Sequence, residues 1–338
     1  MKRWNDMIIS GSKILVTGGA GFIGSHIAES LAKKGAEVTV FDNLSSGSMD
    51  NLKSISNDIE FVKGDILDQE ALAEVMKGKD AVSHQAAQLE IMLCTSDPLR
   101  DLEINTIGTL NVISASHAAG VPRIINASSA CVYGQAIEIP EKEDHPKNPN
   151  WAYGVSKLAA EKYCSIASQA GNIGCTNLRY AIIYGPREWY GRVLTMFIKR
   201  VHEDAGPVVF GSGNQLRDFT NVSDVVDFHN ICLENDKTIG ESYNVSTGIG
   251  TSVQQLADIV VKASGKDLKP IYEDVKEGGK SKNMPFRIRL PAELERMVLD
   301  NTKARSLGWS PKVKLHDGIK QEMGWVTANP DAWKELHI

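Results

Sequence analysis

No stretch of the 338-residue chain stays apolar for the length a membrane-spanning helix needs, and no segment repeats or falls into low complexity. Basic residues are not in excess. The 37 Lys and Arg stand against 42 Asp and Glu, a net charge of −5. That gives no electrostatic case for nucleic acid or a membrane surface as partner, so any phosphate site must be local. Cysteine is scarce and unpatterned. Cys94, Cys131, Cys164, Cys175 and Cys232 include no C-x-x-C pair and no cysteine/histidine spacing suited to a metal, and their number is odd. They read as reduced thiols of a cytoplasmic protein without a metal centre, most of them in the core. Positions 1–12 carry no apolar run of signal-peptide length, and Met7 could serve as an alternative start.

What is present is an ordinary globular composition, 42% apolar and 23% charged, in a chain long enough for one large domain or two joined ones. Short β-branched runs at 13–17, 37–41, 59–62, 81–84, 123–127 and 176–180 read as strands. Longer helical patterns at 22–34, 69–77, 99–119 and 151–170 alternate with them. This rhythm predicts right-handed βαβ units and an α/β fold, a Rossmann-type doubly wound parallel sheet. After Tyr180 it breaks into turn-rich sequence, with helices expected at 193–203, 225–234 and 252–263 and a strand at 242–245. The basic stretch 276–289 reads as a mobile loop. The expected division is a Rossmann domain over 1–181 and 219–247, with a smaller mixed α/β lobe over 182–218 and 248–338. That lobe should cap the carboxyl edge of the sheet, where open α/β folds bind ligands.

The first strand runs directly into Thr17-Gly18-Gly19-Ala20-Gly21-Phe22-Ile23-Gly24 at the start of a helix. Glycines at 18, 21 and 24 permit a tight turn whose backbone N–H groups and helix dipole can meet a pyrophosphate. Asp42 ends the next strand eighteen residues after the last glycine, followed by Asn43, where a ribose-binding carboxylate belongs. A carboxylate there accepts from both ribose hydroxyls and repels a 2′-phosphate, which favours NAD over NADP. An acidic strand end is also common in α/β proteins at large. Asp65-Ile66, after the third strand, suits an adenine amine, and Asp65 equally suits a loop cap.

Tyr153 and Lys157 stand four apart on a helical pattern and therefore share a face. A phenol with a pKa near ~10 needs a shift of about three units, roughly 4 kcal/mol, to act as a base at neutral pH. An ammonium ~5 Å away supplies roughly 3 kcal/mol at an effective dielectric of about 20. A second positive charge, such as an oxidised nicotinamide, could supply the rest. Any amphipathic helix can also carry this pair by accident.

The glycine run, Asp42, Asp65-Ile66, His84-Gln85-Ala86-Ala87, the 105–111 segment, Ser128-Ser129-Ala130-Cys131-Val132-Tyr133-Gly134 and the Tyr153/Lys157 pair occur in one order. So do Arg179-Tyr180, Tyr184-Gly185-Pro186-Arg187, Arg217-Asp218-Phe219 and Tyr243-Asn244-Val245. Together, over about 13–325, they resemble the extended short-chain dehydrogenase/reductase family, in particular its nucleotide-sugar epimerases and dehydratases. The resemblance implies NAD seated on Gly18, Gly21, Phe22, Ile23, Gly24, Asp42, Asn43, Asp65 and Ile66. Ala86, Ala87, Asn105, Lys157 and Tyr180 complete that seat. It makes Tyr153 the catalytic base, has Lys157 lower its pKa and hold the nicotinamide ribose, and has Ser129 bond the sugar hydroxyl being oxidised.

Sugar-nucleotide 4,6-dehydratases usually carry Asp-Glu where this chain has Ala130-Cys131, and decarboxylating relatives keep the glutamate. Neither residue here can replace a carboxylate, so the reaction implied is a 4-epimerisation. A keto-sugar reductase, an epimerase at another carbon and a non-catalytic NAD sensor are the alternatives. Cys131 is either an acid for carbon deprotonation or a small buried apolar residue. The asparagine that normally contacts the diphosphate is replaced by Ile182. Arg217 is then the expected phosphate ligand, against a structural ion pair with Asp218 or Asp224, and Arg287 or Arg289 is expected near a phosphate. Glu90 either bonds a sugar hydroxyl or faces solvent, and Met297 does not exclude a larger or N-acetylated sugar. The 99–119 and 151–170 helices resemble the pair through which the family forms a homodimer by a four-helix bundle.

Overall fold

The computed structural model describes residues 7–289, 293–331 and 333. Seven strands form one wholly parallel sheet: β1 (Lys13–Thr17), β2 (Glu37–Asp42), β3 (Ile59–Lys63), β4 (Ala81–His84), β5 (Arg123–Ser129), β6 (Gly174–Tyr180) and, from later in the chain, Ser242–Val245. From the far edge, β3, β2, β1, β4, β5 and β6 precede that last strand. The order reverses between β1 and β4, and the crevice above this switch point is where such sheets bind ligands.

The strands from β1 and β2 across to Ser242–Val245 are largely buried on both faces, as parallel sheets require, while the edge strand β3 is half-buried. In β1, Ile14 and Val16 pack with Ile27 and Leu31 of α1 (Phe22–Lys33), while Leu15 points to the opposite face with Leu72 of α2 (Gln69–Val75) and Val112. The helix expected over 99–119 is present and runs without a break from Pro98 to Ala119, as α4 (Pro98–Leu102), a π-helical turn (Glu103–Ile107) and α5 (Gly108–Ala119), preceded by the short α3 (Ile91–Ser96). Pro98 starts a new helix with Asp97 as its cap, and the widened turn turns the Asn105 amide toward the loop at residue 88. Periodicity alone shows neither feature. The 151–170 helix is α6 (Ala152–Gln169).

The chain leaves the sheet at Tyr180 through β7 (Ile182–Tyr184) and α7 (Val193–His202), followed by β8 (Val208–Phe210) and β9 (Leu216–Asn221). It returns by α8 (Val222–Glu234) to the edge strand β10 (Ser242–Val245). β9 is the centre of a second, small sheet with β7, β11 (Gly250–Ser252) and β13 (Arg296–Met297), so the division expected at 218/219 falls inside a continuous strand. β12 (Ile271–Glu273) pairs with β8. Around them α7, α9 (Val253–Ser264) and α11 (Leu315–Ala328) close a separate apolar core on Phe197, Val209, Phe219, Leu256 and Ile319, while α10 (Thr302–Arg305) packs on β10.

The stretch 276–289 was expected to be a mobile loop and is instead hydrogen-bonded back on itself, Gly278 N–H to the Arg289 carbonyl and Ser281 N–H to that of Arg287. Glu273 anchors it by accepting from the Ser281 hydroxyl at 2.7 Å and the Asn283 amide at 3.0 Å. Residues 185–192 are tied to the first helix of the sheet domain. Arg187 reaches Glu29 at 2.5 Å and Ser25 at 3.3 Å, and His26 Nε2 lies 2.8 Å from the Pro186 carbonyl. That oxygen can only accept, so Nε2 carries the proton. Burial lowers His26 to about 4 and keeps the ring neutral.

Candidate active site

A cavity of about 320 Å³ runs over the carboxyl edge of the sheet from the glycine turn to β7 and Arg192. Gly18, Gly21, Phe22, Ile23 and Gly24 line one end. A Cβ at Gly24 would lie 2.1 Å from the Gly18 carbonyl and one at Gly18 2.5 Å from the Ala86 nitrogen, so only glycine lets this turn close against the strands. Asp42 lines the same end and keeps its carboxylate in place by accepting the Ala20 and Leu44 N–H groups at 2.9 and 2.8 Å. Each of its oxygens retains a lone pair for a ribose hydroxyl. This donor set fits the dinucleotide that the sequence implies. Asn43 donates to Asp65 at 2.9 Å, and Asp65 caps the Leu67 N–H while lining the cavity with Ile66, Ala86 and Ala87.

The middle of the cavity is built by β5 and the start of α6. A Cβ at Gly154 would meet the Cys131 carbonyl at 2.4 Å, so glycine sets how closely α6 approaches the turn after β5. At that approach the Tyr153 phenol comes under the influence of the Ser129 hydroxyl, and Lys157 lies one turn further along the same helix face. All three residues line the cavity, together with Cys131 and Tyr180, whose hydroxyl reaches Gln85 at 3.2 Å. Lys157 is 2% exposed, and burial lowers its ammonium to about 8.

In the protein alone, burial raises the Tyr153 phenol above its ordinary value, and the leading opposing influences are the Ser129 hydroxyl and the Arg192 charge.

Asn105, which the resemblance also has supporting the active-site geometry, is not among the cavity-lining residues. It is 1% exposed, donates to the Gln88 carbonyl at 2.9 Å and Asp101 at 2.7 Å, and accepts the Gln88 N–H at 3.0 Å. Asp101, which sequence reasoning passed over, also accepts from Ser156 at 2.5 Å and so locks the catalytic helix to this loop. Its only sequence signal is the (i, i+4) spacing to Asn105. Glu90 is buried at the start of α3, beside the cavity-lining Leu89 and Ile91.

Arg217 lies in a second, smaller cavity of about 90 Å³, with Arg287, Gln215, Glu293 and the apolar wall of Val208, Phe210 and Met284. Its ion-pair partner is Glu293 at 3.3 Å, not Asp218, which instead binds Thr247 and Gly248, nor Asp224, which holds the 312–313 backbone. Arg289 is turned to the Val275 carbonyl at 2.8 Å and to Glu293 at 3.4 Å and lines neither cavity, leaving Arg287 as the C-terminal arginine in place. Sequence reading also missed Glu188, Trp189, Tyr190 and Arg192, which line the main cavity at the end away from the glycine turn. Among the described residues no cluster of His, Cys, Asp and Glu is suited to a metal, and no helix is long and apolar enough to cross a membrane.

Comparison with known proteins agrees with this geometry. The family model for the NAD dependent epimerase/dehydratase family matches residues 14–246. A UDP-glucose 4-epimerase of Mycolicibacterium smegmatis is 34% identical over 315 residues, covering 91% of this chain and 96% of its own. The human dTDP-D-glucose 4,6-dehydratase is 31% identical over 332 residues, covering 96% and 92%. The crystal structure of a UDP-glucose 4-epimerase from Thermotoga maritima with UDP-glucose superposes with a TM-score of 0.85 at 33% identity, over 94% of this chain and 100% of that one. The chain therefore belongs to the NAD-dependent nucleotide-sugar epimerase/dehydratase family, an enzyme family of the extended short-chain dehydrogenase/reductase type.

Proposed function

We propose that the enzyme is a nucleotide-sugar 4-epimerase. The observation that carries this reading is the convergence of Ser129, Tyr153 and Lys157 on one cavity, with Ala130 and Cys131 lining it where an elimination would need two carboxylates. The carboxylates that do line the cavity are Asp42 and Asp65, at the adenosine end, and Glu188, which is bonded to Arg192. That leaves no free acid/base pair for losing water or carbon dioxide.

Gly18, Gly21 and Gly24 would hold the pyrophosphate of NAD and Asp42 its adenosine ribose, and bound NAD supplies reversible hydride acceptance at the sugar C4. Ser129 orients the C4 hydroxyl, Tyr153 takes its proton and later returns it, and Lys157 stabilises the phenolate. The nucleotide end of the substrate fits the second cavity, where Arg217 and Arg287 offer charge to a diphosphate and Phe210 an apolar wall. Leu99, Leu102 and Ile107 before α5, with Val155 and Ile166 of α6, present apolar side chains to solvent and support a homodimer through these helices in a cytoplasmic enzyme. Light scattering should then give twice 36.9 kDa, and Ile166→Asp should halve it.

The test is a panel of UDP-, dTDP-, GDP- and CDP-sugars followed by NMR without added NAD. Inversion at C4 is expected, with Tyr153→Phe slower by roughly 10²–10⁴-fold. Equal turnover in that variant, or a deoxy product, refutes the assignment.

A further inference from the structure

A line of polar side chains leads from the cavity wall into the core. The Tyr180 hydroxyl donates to Gln85 Oε1 at 3.2 Å, Gln85 Nε2 donates to the Ser83 hydroxyl at 3.1 Å, and that hydroxyl lies 2.8 Å from His229 Nε2. Tyr180 and Gln85 line the cavity, whereas Ser83 on β4 and His229 on α8 are fully buried. The polarity of the line is set at its inner end. Burial lowers His229 to about 4 and keeps the ring neutral, so one ring nitrogen carries a proton and the other accepts. Asn230 Nδ2 donates to Ser30 at 2.9 Å, its buried Oδ1 has no partner among the described residues, and the residue favours a proton on the His229 ring. That places the ring proton on Nδ1 and leaves Nε2 to accept from Ser83. Ser83 then accepts from the Gln85 amide nitrogen, and the amide oxygen faces Tyr180. Burial also raises the Tyr180 phenol above its ordinary value, so it keeps the proton that it gives to Gln85.

We propose that Gln85 is a positioning residue for the cofactor: by taking the Tyr180 proton it leaves the phenolic oxygen only lone pairs to offer the cavity, so that Tyr180 accepts from the carboxamide N–H of the nicotinamide. A phenol free to rotate would donate to the carboxamide oxygen as readily as it accepts from the nitrogen, and either orientation of that amide would be satisfied. With the proton committed, only one is. Ser83 and His229 serve Gln85 in turn, by deciding which end of its own amide faces Tyr180. The proposal rests on the dinucleotide seat and on no step of the sugar chemistry.

The 3-acetylpyridine analogue of NAD carries a methyl group in place of the carboxamide nitrogen and keeps the carbonyl and the ring charge, so it reports this one hydrogen bond. The test is the dissociation constants of NAD and of this analogue, measured by calorimetry on NAD-stripped protein. NAD should bind about 2–12-fold tighter to wild type, the range of one hydrogen bond. Tyr180→Phe should bring that ratio close to one, Gln85→Met should lower it as far, and the double variant should lower it no further. Ser83→Ala, which frees the Gln85 amide to turn, should lower it partway. A wild-type ratio of one means that the line runs the other way, and it overturns the proposal without any variant having to fold. So does a ratio that survives Tyr180→Phe or Gln85→Met, since a merely structural loss weakens both dinucleotides alike. A ratio that falls further in the double variant also overturns it, because Gln85 would then touch the cofactor itself. C4 inversion alongside a wild-type ratio of one would leave the epimerase reading intact and remove this one, whereas binding of neither dinucleotide would remove the seat on which both stand.

Discussion

Replacing Lys157 by methionine should make the dinucleotide-free protein more stable while abolishing its turnover. The ammonium is 2% exposed, and burial lowers it from 10.5 to about 8. At pH 7 it is still charged in both folded and unfolded states, but the folded protein holds that proton less tightly. At about 1.4 kcal/mol per pH unit, the difference costs the fold roughly 3 kcal/mol. Methionine has nearly the same length and no charge, so it removes the cost and keeps the packing. For a chain of this size the gain corresponds to roughly 2–5 °C in Tm. The sign of the pH dependence is fixed by linkage. Because the folded-state pKa is depressed, the wild-type penalty is complete below about pH 8 and fades as pH rises through 10.5, above which the lysine is neutral in both states. Urea unfolding of NAD-stripped wild type and Lys157→Met at pH 7, 9 and 10.5 should therefore show curves that converge. A variant less stable at pH 7, or an advantage independent of pH, would refute the idea that this charge is held against its own preference for water.

Other parts of the molecule make separate predictions. Gly24→Ala places a Cβ 2.1 Å from the Gly18 carbonyl, and NAD content of the purified protein should drop at least about tenfold with circular dichroism little changed. Glu161 accepts from Arg179 Nε at 3.0 Å with both side chains buried, so Glu161→Gln leaves a buried guanidinium short of its counter-charge. A loss of about 3–5 kcal/mol in urea unfolding is expected, and less than ~1 kcal/mol would mean that water or another group replaces the carboxylate. Glu141 is 1% exposed and burial pushes its carboxyl up from 4.5 to about 8, so the folded state retains its proton at neutral pH. Stability should therefore decline as pH rises from about 4.5 through about 8. Glu141→Gln should match wild type near pH 4 and exceed it above pH 8, and parallel curves across that range would contradict the protonated form.

The glycine turn, Asp42 and the Tyr153/Lys157 pair are legible in sequence because backbone geometry within a few residues dictates them. A turn that must close at Gly18 and Gly24, or two side chains one helical turn apart, leaves its mark in contiguous residues. Asn105 illustrates the limit: its motif is visible, but only the π-helical turn shows that its amide is consumed by Gln88 and Asp101. The ion pair of Arg217 was sought among near neighbours and lies instead with Glu293, brought in by the pairing of β9 with β13. Glu188 and Arg192 carry no distinguishing pattern of their own. They become site residues because the chain between β7 and α7 is folded back over the crevice, which is a tertiary fact. The 276–289 stretch reads as mobile from its glycines and lysines, and the single carboxylate that organises it, Glu273, belongs to a different strand.

The anchoring of residues 185–192 to α1 has a mechanical consequence. The first turn of α1 faces the site of the dinucleotide, while Ser25, His26 and Glu29, further along the same helix, hold Arg187 and Pro186. A few residues on, the same segment delivers Glu188 and Arg192 to the far end of the cavity. The two ends of the cavity are therefore tied to one helix. An enzyme that exchanged its dinucleotide at every cycle would need play between those two ends. One that keeps it needs registry, and surface Glu29, far from any reacting atom, is where that registry can be loosened.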